Sequence, residues 1–68
     1  MNKDKTKETL IKELKRISED RDFLLAVINH VREDRERLNL AEFIKNNPNV
    51  SYEEIILMSL EIYEQQTS

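Results

Sequence analysis

The stretch Ser18-Glu-Asp-Arg-Asp-Phe-Leu-Leu-Ala-Val-Ile-Asn-His-Val31 decides the fold. Its first five residues are polar or charged. Ser and Asp favour caps and turns over helix interiors, because their short side chains compete for the backbone. A turn is expected there, with Ser18 or Asp20 as the N-cap of the helix that follows. Phe23 to Ile28 is then the longest apolar run in the chain. Phe23, Leu24, Val27, Ile28 and Val31 form one broad stripe at helical spacing, with Leu25 off its centre. An unbroken apolar run covers most of a helix circumference, and a helix apolar all round is buried all round. The spacing therefore predicts a central helix over residues 20–37.

Upstream, Leu10, Ile11, Leu14 and Ile17 recur in steps of three and four with Lys and Glu between them, which predicts a helix over 6–17. Thr6 or Asp4 is the expected cap, and residues 1–5 read as a disordered polar arm. Downstream, Asn39-Leu-Ala-Glu42 has the form of a capping-box variant. It predicts a short helix over 40–46 that buries Leu40, Phe43 and Ile44. Asn46-Asn-Pro-Asn49 is a loop: Pro48 biases Asn47 away from helix, and Asn tolerates the left-handed conformation where Gly is absent. Ser51-Tyr-Glu-Glu54 is a capping box opening a last helix over 51–65, with Val50 stapled onto Ile55. One domain is expected over 6–66, with 67–68 as a frayed tail.

A second architecture competes with this one. Leu10, Leu14, Ile17, Arg21, Leu24, Ile28, Val31, Arg35 and Leu38 keep a strict 4-3 spacing. One unbroken helix over 6–38 would present them as a coiled-coil seam. Arginine at two seam positions and Asp20 and Asp22 in the middle weigh against it. The expectation is an all-α fold, a small helical bundle of three to four helices, completed by dimerisation.

The 68 residues include no Gly, no Cys, no Trp and one Pro. Phosphate-cradling loops, dinucleotide fingerprints and nucleophile elbows need Gly, where the backbone turns with positive φ or closes on a ligand. Tight β-hairpins lean on it too. Without Cys there are no disulfides, thiolate zinc sites or cysteine nucleophiles. No apolar run approaches the ~20 residues of a membrane span. Met1 to Lys7 is charged with no apolar signal core behind it, and a cytoplasmic setting is expected. The net charge is −3. The acid excess sits late in the chain, where Lys45 stands alone against Glu42, Glu53, Glu54, Glu61 and Glu64. An acidic surface repels phosphate backbones, so neither nucleic acid nor membrane is an expected partner.

Two of the helices carry more apolar circumference than a small monomer hides. The surplus is Leu25, Leu57, Met58, Ile62 and Tyr63. A contiguous exposed patch of a few hundred Å² usually marks an interface, and a two-fold homodimer is the commonest outcome. The expected function is a non-enzymatic protein–protein interaction module: a small regulator or antagonist acting through an apolar helical face on an unidentified protein. Abundant Lys, Asn, Ile and Glu suit a bacterium or a mobile element.

No catalytic, cofactor or metal site is expected. His30 is the sole histidine. With Asp34 it offers two ligands on one face, where zinc needs three or four. Pairing of His30 with a carboxylate is the plainer expectation. Glu19/Asp20/Asp22, Glu33/Asp34 and Glu53/Glu54 are adjacent carboxylates on solvated faces or caps, rather than a pair held in a dry cleft. Arg32, Arg35 and Arg37 form the densest basic group and are candidate nucleic-acid contacts. If 34–40 were a strand, Arg35, Arg37 and Asn39 would share one face. Ser51-Tyr-Glu-Glu-Ile-Ile to Ser59-Leu-Glu-Ile-Tyr63 loosely resembles the second helix of ribbon-helix-helix repressors. Leu40 to Leu60 resembles the first two helices of some helix-turn-helix domains. These resemblances imply the alternative function: a DNA-binding regulator or antitoxin using those arginines and the basic residues between Lys3 and Arg16.

Overall fold

The computed structural model describes residues 3–67, with side chains described for 5–66. Four helices follow one another: α1 Lys3–Leu14, α2 Arg21–His30, α3 Asp34–Asn46 and α4 Tyr52–Thr67. The all-α class is as the periodicity predicts, while several boundaries differ for physical reasons.

Lys3, Asp4 and Lys5, expected in a disordered arm, belong to α1, and Met1 and Asn2 lie outside the described residues. Thr6 is therefore not a cap. It is buried one turn inside α1 and donates its hydroxyl to Asp34 Oδ1 at 2.8 Å. The single long helix over 6–38 does not form. α1 tightens after Leu14 into i→i+3 bonds, Arg16 N to Glu13 O at 3.1 Å and Ile17 N to Leu14 O at 2.9 Å, the usual way a helix end consumes its last carbonyls. Ser18 and Asp20 then act in tandem. Ser18 Oγ accepts from Asp20 N at 3.1 Å, and Asp20 caps α2 by accepting from Asp22 N at 3.2 Å.

α2 ends at His30 rather than at residue 37, and α3 starts at Asp34 rather than at residue 40. The expected cap at Asn39 is absent, because α3 runs through it. The strand over 34–40 that a ribbon-helix-helix arrangement requires is helix. The first turns of α3 are held by polar contacts, from Asp34 to Thr6 and from Arg37 to α2. Only from Leu40 onward does apolar burial take over, through Leu40, Ala41 and Ile44.

The loop after α3 turns without the left-handed conformation expected of its asparagines. No residue among those described has positive φ. Val50 N donates to Asn47 O at 3.0 Å across Pro48, a turn whose second position suits the fixed φ of proline. Ser51 caps α4 as predicted, accepting from Glu54 N at 3.2 Å. Thr67 closes α4, and Ser68 of the expected tail lies outside the described residues.

The core draws on every helix of the single chain. Leu10 and Leu14 come from α1, Phe23, Val27 and Ile28 from α2, Leu40, Ala41 and Ile44 from α3, and Ile55 from α4, with Val31 between α2 and α3. Helices pack chiefly as α1 on α3 and α2 on α4. Phe23 meets Tyr52, and farther along both helices His30 meets Ser59 and Tyr63, so α2 and α4 run in the same sense. The radius of gyration is 10.8 Å, against about 11 Å expected for a lone folded chain of this length.

Candidate functional site

Two of the three candidate nucleic-acid arginines, Arg32 and Arg37, are engaged at the C-terminal end of α2. Helices usually dispose of their last carbonyls with a glycine in the left-handed conformation. This chain has no Gly and, among the described residues, no positive φ. Arginines close the end instead. Arg37 Nε donates to Val31 O at 2.7 Å and Nη2 to Ile28 O at 3.4 Å, reaching back from the first turn of α3. Arg32 Nε donates to Asn29 O at 3.2 Å, and its guanidinium stands 5.7 Å from the Tyr63 ring centroid. Cations at a helix C-terminus also suit the macrodipole. Arg35 is exposed. Two of the three arginines therefore terminate a helix.

Among the described residues His30 does not pair with a carboxylate. Its ring lies 5.4 Å from the Tyr63 ring, and its Nδ1 is 3.5 Å from Ser59 Oγ. Ser59 is buried in α4 and donates to Ile56 O at 2.8 Å. Asp34, the other half of the candidate metal pair, accepts from Thr6 instead. Among the described residues no three His, Asp or Glu side chains gather as a metal site. No helix is long and apolar enough to cross a membrane among them.

No family model, curated protein or solved structure matches this chain.

The apolar surplus is the remaining candidate, and its residues divide. Leu25 on α2 is 46% exposed and Leu57 on α4 is 61% exposed. Met58 and Ile62 are partly buried and pack against the core. Tyr63 is half-buried between His30 and Arg32. The spacing of the last helix sets Tyr52, Ile55, Ile56, Ser59, Leu60 and Tyr63 on one stripe and Leu57, Met58 and Ile62 on a second face. Ile55 and Ser59 point inward as that stripe predicts, but Met58 and Ile62 of the second face also pack against the core, while Leu60 is 38% exposed and Tyr52, stacked on Phe23, 40%. Leu57 lies two positions from both Ile55 and Ser59, about 200° around the helix at ~100° per residue, hence opposite the core. Leu60 was missed as a surface residue.

Proposed function

We propose that this chain is a non-enzymatic protein-binding module, a small cytoplasmic regulator or antagonist that works through the outer face of α4 and pairs there with a second copy of itself. The observation that carries this reading is Leu57, 61% exposed opposite the core of α4, with Leu60 at 38% beside it. Large apolar side chains standing together in water favour a partner surface, and a helix presenting them at i and i+3 suits a second helix or a groove. Glu53, Glu54, Glu61 and Glu64 on the same helix are exposed around them. The face thus has a greasy centre and an acidic rim.

Two consequences follow from that rim. Pairing α4 with α4 brings glutamates together, so added salt strengthens the dimer by screening their repulsion. It also disfavours nucleic acid: a random duplex at low salt is expected to show no steeply salt-dependent binding.

Sedimentation equilibrium in the micromolar range tests the proposal. The wild-type chain is expected to self-associate. Leu57→Glu is expected to return it to monomer while changing the stability of the single chain by no more than about 0.5 kcal/mol, as for other exposed substitutions. A wild-type chain that stays monomeric, with Leu57→Glu indistinguishable from it, removes self-association through α4.

A further inference from the structure

Between α1 and α3 lies an open groove of about 460 Å³, lined in part by Thr9, Glu13, Leu38, Ala41, Glu42 and Lys45. Glu13 is the unusual member. It is only 9% exposed, and its Oε1 is buried without a hydrogen-bond partner. Arg16 Nε forms an ion pair with that oxygen at 3.4 Å, out of hydrogen-bonding alignment, and the Arg16 side chain is 61% exposed. The Thr9 hydroxyl is engaged elsewhere, donating to Lys5 O at 2.9 Å. Lys45 makes no ion pair with Glu13 among the described residues. Buried polar atoms are nearly always paired, because an unpaired one forfeits its hydration without compensation. For a charged group that loss is larger still.

We propose that this groove binds an arginine side chain of a partner polypeptide, with the Glu13 carboxylate as its anchor. A guanidinium is the complementary group. Its planar fork can meet a carboxylate with two parallel hydrogen bonds, and it sheds water more readily than an ammonium. Leu38 and Ala41 offer an apolar wall to the aliphatic stem. Glu13 and Glu42 against Lys45 leave the lining net negative. Arg16 is a poorly aligned internal stand-in that the incoming guanidinium displaces. The groove is open along the helix seam, which admits a side chain still attached to its backbone. The site belongs to α1 and α3, so it is independent of the α4 face.

The test is a ¹⁵N amide titration of the full chain with N-acetylarginine methylamide at low salt. Saturable shifts are expected, confined to the α1 and α3 amides around the groove and unchanged in Leu57→Glu. Arg16→Ala is expected to tighten binding several-fold by removing the competitor. Glu13→Gln, which keeps shape and loses charge, is expected to weaken it about tenfold, as an ion pair becomes a hydrogen bond from the guanidinium to a neutral amide. N-acetyllysine methylamide is expected to bind more weakly than the arginine probe. Failure of both the wild type and Arg16→Ala to show saturable shifts overturns the proposal. So does equal binding by Glu13→Gln. Tighter binding of free arginine than of the blocked probe overturns the polypeptide as its source. Should Glu13→Gln fail to fold, the Arg16→Ala arm decides alone.

Discussion

Phe23→Ala is expected to destabilise the chain by about 3–5 kcal/mol, the range for truncating a buried aromatic. Phe23 is 1% exposed, and its ring centroid lies 4.6 Å from that of Tyr52 at 35°. The substitution removes a large buried side chain, leaves a cavity, and loses an aromatic pair worth about 0.5–1.5 kcal/mol beyond its area. A domain of this length has about 3–10 kcal/mol in total at ~0.05–0.15 kcal/mol per residue. Urea denaturation of Phe23→Ala should therefore show a midpoint reduced by about a third or more, or no cooperative transition. Leu25→Ala is the control. It lies two residues away in the same apolar run but is 46% exposed, and should cost under about 1 kcal/mol. Equal losses for the two would mean that α2 faces the core differently. The comparison also bears on function, since Phe23 and Tyr52 fix α2 against the first turn of α4 and so hold the Leu57 face in place.

How far the fold could be read from residues alone follows from which forces build each element. The starts of α2 and α4 were legible because Ser18, Asp20 and Ser51 act through local side-chain chemistry, within two or three residues of themselves. The stripes of α1 and α2 were legible because burial is periodic. The start of α3 was not, because its first turn is fixed by longer-range polar contacts from Thr6 and to the carbonyls at the end of α2. Apolar spacing is silent there. A weaker signal was present: basic His30 and Arg32 beside acidic Glu33, Asp34 and Glu36 is the charge order of one helix ending and another beginning. The facing of α4 was hidden for a different reason. With apolar residues over most of its circumference, Leu60 and Ile62 were interchangeable until a neighbour was placed. The surplus of apolar residues was therefore readable, while its division between core and surface was not. Likewise the groove depends on how α1 and α3 seat together, and Glu13 in sequence is one glutamate among lysines.

Arg37→Ala is expected to cost about 2 kcal/mol, within the range of ~1.5–3 kcal/mol for a hydrogen bond to a charged group. It is half-buried, and it satisfies Val31 O and Ile28 O at the end of α2 from the first turn of α3. Glycine and positive φ are absent from that end, so no local backbone device can replace it. Arg37→Lys should recover only part of the loss, because a point-like ammonium cannot span two carbonyls as a fork does. Arg35→Ala, at an exposed position, should stay within about 0.5 kcal/mol. Hydrogen exchange gives a readout that a general loss of charge would not. In Arg37→Ala, amides near His30 and Val31 should open before those of α4, since the fault is at the α2 terminus. If these arginines instead contacted nucleic acid, Arg35→Ala and Arg37→Ala would weaken duplex binding alike and leave stability nearly unchanged. That outcome would assign the basic cluster to DNA. A steep stability difference between the two neighbouring arginines assigns Arg37 to the fold, where it does the work of a missing glycine.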